Sequence, residues 1–261
     1  MSDPTEQWPA REHVDTGRTV SGDPPPRHAA DPERAASRGG FGALVRETAI
    51  ILISALVLSL IVKTFFVQAF FIPSESMENT FVEDDRILVS KLTPGPFDLK
   101  RGDIVVFKDP ADWLQSVAEP DPGPVRGAIN DMLTFIGLYP QDAGEHLVKR
   151  VIGLPGDRVA CAGPGEPITV NGVPIEEPYL KPGSQPSQMA FDTVVPQGGI
   201  WVMGDNRQHS GDSRVHMDEA GGGSVPIANV VGVAFVLVFP FDRATVLHNP
   251  SDTFADVPDA S

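Results

Sequence analysis

The sequence predicts a mainly β domain carried behind a single membrane-spanning helix, and three observations carry that prediction. From Arg86 onward, apolar residues fall in short runs of strand length instead of the three-and-four spacing of a helix. Pro 26 and Gly 25 are both numerous among 261 residues, which suits many short strands joined by turns better than a helix bundle. Ahead of the strands stands one unbroken run of apolar and small residues, 49–62, ended by Lys63. The formal net charge of −15 argues against a nucleic-acid binder, which needs a basic face, so no nucleic-acid partner is expected. Cys161, the single cysteine, has no partner within the chain for a disulfide, so the fold must rest on its apolar core.

Taken in order, residues 1–44 are polar and proline-rich, with PPP at 24–26, and are expected to be a disordered cytosolic tail. Residues 45–69 are expected to form the anchor, since about 20 residues at 1.5 Å rise cross ~30 Å of hydrocarbon and Lys63 can snorkel to the headgroups. A cleaved secretory signal has a similar apolar core, but here the preceding tail is long and no small-x-small cleavage pattern follows, which favours an uncleaved anchor. Arg34, Arg38 and Arg46 precede the span, whereas Lys63 is followed by no basic residue until Arg86. That asymmetry puts the N-terminus in the cytosol and residues 70–248 outside. Strands are expected at 87–89, 103–107, 147–152, 157–161, 200–203 and 230–239. Residues 168–175 read as a hairpin, because Asn171-Gly172 supplies the positive φ angles of a type I′ turn. The 110–144 insertion holds a Pro/Gly loop and then VRGAINDMLTFIGLYP, with helical spacing suited either to packing on the β body or to a membrane surface. Residues 249–261 are expected to be a loose polar tail.

Three patches contain residue types able to carry chemistry. Ser74 and Ser76 lie in FFIPSESMENTF at 70–81, just past the apolar run, without the G-x-S-x-G elbow of an α/β-hydrolase. His146, His209 and His216 leave a Ser-His-Asp arrangement open by composition alone. In LVKRVI, strand alternation would send Lys149 and Arg150 to opposite faces. A lysine among apolar neighbours loses its proton more easily than one in water, so Lys149 is a candidate base; an exposed Lys-Arg pair is the ordinary alternative. The third patch, GDNRQHSGDSR at 204–214, follows the apolar run IWV and is either a solvated turn or a loop fixed by an Asp212–Arg214 pair.

Together, PSESM around Ser76, KRGDIVVF at 100–107, KRVIGLPGD at 149–157 and GDNRQHSGDSR at 204–214 resemble the type I signal peptidases. These are membrane-anchored serine proteases that remove signal peptides from exported proteins. The resemblance runs from the apolar helix to about Phe241 and leaves out the first forty residues and the 110–144 insertion. It implies a body of two packed antiparallel sheets, with an apolar surface near the active site that dips into the bilayer. It also implies a Ser76 nucleophile with Lys149 as general base, and no metal or cofactor. Ser74 and the backbone N–H of Ser76 would hold the oxyanion, Ser210 would orient the Lys149 amine, and Asp212 and Arg214 would brace that loop. Ile72, Pro73, Met77, Phe81, Leu147 and Val148 would line pockets for Ala-like residues at the first and third positions before the cut. The implied partners are secretory preproteins and membrane lipid. Two residues depart from the family pattern: Asn79 stands where proline is usual, which should loosen the turn after Ser76, and Phe81 stands where leucine is usual, which should narrow a pocket. These departures are the one support for a rival reading, an anchored β domain that binds exported chains without cutting them. A self-cleaving Ser/Lys protease is a third reading, disfavoured by the anchor.

Overall fold

The computed structural model describes residues 40–110, 113–114 and 146–260. The expected disorder before residue 40 and the expected helix at 125–140 lie outside the described residues. Contacts divide the chain inside the first helix, into a unit ending at Ile51 and one beginning at Leu52.

The described chain begins with α1 (Gly40–Phe65), which starts before the expected boundary. Its Leu, Ile, Val and Ala residues face outward on all sides; Ile51, Leu52 and Leu58 are each more than 60 % exposed. The stretch Gly42–Phe65 is long and apolar enough to cross a membrane, at about 36 Å for 1.5 Å rise per residue.

The second unit is mainly β, in two antiparallel sheets. The larger sheet runs in the order β1 (Val67–Phe71), β2 (Arg86–Ser90), β11 (Val230–Phe239), β3 (Ile104–Lys108), β4 (His146–Gly153), β9 (Gly199–Met203), β10 (Val225–Pro226), with β12 (Thr245–Val246) also paired to β11. The smaller is β7 (Val173–Pro174), β6 (Ile168–Val170), β5 (Arg158–Cys161), β8 (Phe191–Val194). The expected hairpin is present: Asn171 and Gly172 take φ of 51° and 82°, and Val170 pairs with Val173.

Two boundaries differ from expectation. The anchor read to residue 69 ends at Phe65, because Val67–Phe71 leaves the helix and pairs along its whole length with β2, from Val67↔Ser90 to Phe71↔Arg86. A continuous apolar stretch such as FFVQAFFI carries no period to separate helix from buried strand. The tail from Asn249 is not loose either. Phe254 and Val257 are buried, and the carbonyl of Pro258 accepts hydrogen bonds from Arg101 and Asn171.

Three apolar clusters meet around β4. Val148 packs with Phe70, Ile72, Met77 and Phe81; Leu147 and Val151 pack with Phe107 and Val202; and Ile152 joins Trp201 and the smaller sheet. With β3 on one side and β9 on the other, β4 has both edges paired and every residue from Leu147 to Gly153 buried. A side chain on β4 is thus held by paired backbone on both edges and by packing around it.

Candidate active site

Ser76 sits in one turn of 3-10 helix, Glu75–Met77, soon after β1. The turn is closed by the amides of Glu78 on the Glu75 carbonyl and of Thr80 and Phe81 on the Met77 carbonyl, at 2.9, 3.1 and 2.8 Å. Ile72 on one side and Met77 on the other are sunk in the core, so the polar Ser74-Glu75-Ser76 arch is held between two apolar anchors.

Lys149 comes from the middle of β4, and its amine donates a hydrogen bond to Ser76 Oγ at 2.6 Å. Ser74 Oγ lies 3.2 Å from Ser76 Oγ, with either hydroxyl able to donate. Burial pulls the Lys149 amine down from 10.5 to about 8; the Asp212 and Asp205 carboxylates oppose the shift and Arg214 adds to it. The exposed-pair alternative fails, since Lys149 and Arg150 are each only 3 % exposed. Arg150 serves the 204–214 loop instead, donating to both Asp205 oxygens at 2.9 and 2.6 Å and stacking 4.1 Å over the Tyr179 ring. Ser76 therefore meets an amine, while His209 pairs with the exposed Glu75 and His216 with Glu219.

The 204–214 loop is not a solvated turn. Asp205, Asn206, Arg207, Asp212, Ser213 and Arg214 are all buried. Asp212 receives Arg214 Nε and Nη2, both at 2.8 Å, and the Gly204 amide at 3.0 Å. Burial alone would raise the Asp212 carboxyl, but the Arg214 guanidinium and these donors hold it below its ordinary range. Ser210 differs from expectation. Its hydroxyl is buried, makes no hydrogen bond to Lys149, and has the Asp212 carboxylate as its polar neighbour.

The loop also grips the serine turn directly. The Asn206 amide donates to the Ser76 carbonyl at 3.1 Å, and Asn206 Nδ2 to the Glu75 carbonyl at 3.1 Å. At Gly204 a Cβ would lie 2.5 Å from the Ser76 carbonyl oxygen and 2.3 Å from Ser210 Oγ, so the two segments pack this closely only because residue 204 has no side chain.

A model of the family described as signal peptidase, peptidase S26, matches residues 45–239, a span that contains Ser74, Ser76, Lys149 and the 204–214 loop. The chain is 37 % identical over 226 residues to a probable signal peptidase I of Mycobacterium leprae, covering 76 % of this chain and 77 % of that one. It is 37 % identical over 227 residues to a signal peptidase I of Mycobacterium tuberculosis, covering 78 % and 76 %. The chain belongs to the signal peptidase family, peptidase S26. A crystal structure of a signal peptidase I from Enterococcus faecalis also aligns, with a TM-score of 0.33, 25 % identity, and coverage of 52 % of this chain and 97 % of that one.

Within this family member, the six residues expected to line substrate pockets divide three ways. Ile72, Met77, Phe81 and Val148 share one apolar cluster, Leu147 belongs to the cluster on β4's other face, and Pro73 is exposed beside Ser74. Phe81 is fully buried, so its ring is part of the core beneath the serine turn. Among the described residues, no group of three or more His, Cys, Asp or Glu side chains converges as metal ligands would. Sequence reasoning passed over Gly204 and Asn206, which hold the serine turn through backbone contacts, and over Thr80, whose hydroxyl donates to Asp205 at 2.5 Å. Nothing in an isolated GDN or an isolated threonine announces such contacts.

The looser turn expected from Asn79 is not what the structure contains. Asn79 takes φ of 97°, which a proline ring fixed near −65° cannot reach, and its side-chain amide donates to the Tyr179 and Leu180 carbonyls at 3.0 and 3.2 Å. The turn is tied by a side chain where a ring would have stiffened it.

Proposed function

We propose that this chain is a membrane-anchored serine endopeptidase that removes N-terminal signal peptides from exported preproteins, cutting after small-x-small sequences. The observation that carries the proposal is the buried Lys149 amine, 2.6 Å from Ser76 Oγ and with its pKa drawn down to about 8. In the neutral amine the hydrogen bond reverses: the Nζ lone pair accepts the Ser76 proton as Oγ attacks the scissile carbonyl. The resulting ammonium then protonates the leaving amine, and water, activated by the same lysine, releases the signal peptide from the acyl-enzyme. Ser74, 3.2 Å from Ser76 Oγ, is near enough to turn its hydroxyl toward the developing oxyanion beside the Ser76 backbone N–H. Asp212 and Arg214 brace the loop beneath the lysine, and Ser210 closes its buried side. Pro73, exposed beside Ser74, and the cluster of Ile72, Met77 and Val148 with Phe81 beneath would back the substrate side chains, while Leu147 would act from the cluster on the other face of β4.

By the same proposal α1 is the anchor, with the N-terminus cytosolic and the catalytic body outside. Its exposed apolar surface supports the anchor, and the basic residues before it support that orientation. A signal peptide's apolar core lies in the bilayer, so its cut site emerges where a serine eleven residues past the Phe65 helix end would meet it.

The test is cleavage of one signal-bearing preprotein by the detergent-solubilised protein, with the cut mapped by mass spectrometry. Ser76→Ala and Lys149→Ala should each lower turnover by about three orders of magnitude or more while leaving the circular-dichroism spectrum intact. Retained cleavage in either purified variant would exclude the proposed dyad.

A further inference from the structure

The turn after Ser76 is held by two sets of contacts. On one side Asn206 holds the Glu75 and Ser76 carbonyls, with Gly204 packed close against Ser76. On the other, the turn rests on the 177–181 segment: Asn79 donates to the Tyr179 and Leu180 carbonyls, and Lys181 pairs with Glu78 at 2.5 Å. Both sides converge, because the Lys181 amide donates to the Asp205 carbonyl at 3.1 Å and Asp205 accepts the Thr80 hydroxyl at 2.5 Å. The contacts are unequal. Glu78 and Lys181 are each about one-third exposed, so water and salt screen that pair. Asn79, itself exposed, donates one amide group to two backbone carbonyls through neutral hydrogen bonds that salt does not screen, from a left-handed conformation that asparagine tolerates better than other residues bearing a Cβ.

We propose that Asn79 is a positioning residue for Ser76, its amide locking the serine turn onto the Tyr179–Leu180 backbone so that the Ser76 hydroxyl and N–H stay aimed at the scissile carbonyl. This rests on the reading of Ser76 as the nucleophile. The lock acts on the direction of Ser76, not on the environment of Lys149, so it affects the rate of the chemical step and leaves the basicity of the amine alone. It also makes the position chain-specific: proline fails here because of φ, and alanine fails because it neither favours that φ nor donates.

The test uses two variants of the full-length protein with the same preprotein. Asn79→Gly keeps access to φ near 97° and removes the amide. Because glycine also loosens the chain, Asn79→Asp is its companion, with similar size and backbone tolerance but no N–H to donate. In both, kcat should fall about three- to tenfold, the range that losing a pair of partly exposed hydrogen bonds supplies. KM should stay within about twofold, and the pH midpoint of the rising limb should not move. Independently of activity, hydrogen exchange at the Thr80 and Phe81 amides should quicken at least about tenfold, with the amides of β4 and β9 unchanged. Wild-type kcat in both variants, unaltered exchange at Thr80 and Phe81, or a shifted pH midpoint would each overturn the assignment. Failure of wild-type protein to cleave the preprotein would instead count against the peptidase reading, and the exchange result would still decide whether Asn79 holds the turn.

Discussion

Holding a lysine amine inside a protein costs stability whenever the amine must be charged, and at Lys149 the cost can be placed on the pH axis. Its folded pKa of about 8 lies below the ordinary 10.5. Between those two values the unfolded chain binds more protons than the folded one, so stability rises with pH across that window. Below about pH 8 the full penalty stands, on the order of 3 kcal/mol from 1.36 kcal/mol per unit. Lys149→Met, which fills the same space without charge, should therefore melt several degrees above wild type at pH 7 while cleaving nothing. That advantage should shrink toward zero between pH 8 and 10.5, and melts at pH 7 and pH 10 would check it; an advantage that grew with pH would refute desolvation of the ammonium as its cause. The same titration governs activity, so kcat/KM should climb through a limb near pH 8 as the amine becomes neutral. The apolar neighbours of Lys149 made a depressed basicity one of two readings in the sequence, beside an exposed Lys-Arg pair, and only its burial decides between them. Its pairing with Ser76, 73 positions away, was not legible from spacing and came only from the resemblance of the motifs. Asn79 was misjudged for a related reason: its φ is set by carbonyls 100 residues distant, which no local pattern reports.

At the scale of elements, the site is a contact between a turn and a loop, each delivered by a strand, with β4 between them. β4 was legible because seven consecutive buried residues read as an apolar run even with two cations inside it. β1 was misread as helix, while β8, β10 and β12 went unseen, since four- and two-residue strands such as FDTV and TV carry too few alternations to register. The 204–214 loop was legible as a concentration of polar residues, but its burial was not, because the pairing of Asp212 with Arg214 and of Asp205 with Arg150 is what makes burying them tolerable. Gly204 is the narrowest point of this assembly. In Gly204→Ala the new methyl would meet the Ser76 carbonyl oxygen at 2.5 Å, and backbone cannot swing aside as a flexible side chain can. The serine turn should shift by some tenths of an ångström and turnover should fall by about two orders of magnitude, the penalty typical of small misplacements of a reacting group. Far-ultraviolet circular dichroism should still report a folded protein. Near-normal turnover in this variant would mean that the loop and the serine turn are not in such close contact.

For the whole molecule, the composition pointed correctly to many short strands, and the family resemblance supplied the two-sheet arrangement that composition could not. The C-terminal segment was the main misjudgement, and the reason is physical. Phe254 and Val257 are isolated apolar residues among Asp, Ser and Pro, with no period to mark them. What orders them is a receptor formed elsewhere: both enter the cluster of Ile152, Val159, Ile168 and Trp201 where the two sheets meet. Asn249 fastens the start of the segment by donating to the Arg101 carbonyl at 3.0 Å and to Asp103 at 2.6 Å, and the Pro258 carbonyl fastens its end. Arg101 in turn grips the fully buried Asp157 at 2.7 Å, so the segment closes over the ion pair that joins the KRGD and LPGD turns. The strap thus covers core that both sheets share, and its removal should be felt globally. Phe254→Ala should cost about 3 kcal/mol, at the lower end for a buried aromatic because the ring lies near the surface. For a domain of this size that lowers the melting temperature by about 6–12 °C. Phe241→Ala, at a ring that is 84 % exposed, should change stability by no more than about 0.5 kcal/mol. Cleavage at 25 °C should change little in Phe254→Ala, because the strap's hydrogen bonds, to Arg101, Asp103, Asn171 and Glu176, involve neither Ser76, Lys149 nor the 204–214 loop, and its packing approaches them only through Tyr179 and Met203. Calorimetric melts of both variants beside wild type would decide it: equal melting temperatures for all three would mean that the segment rests on the core without stabilising it.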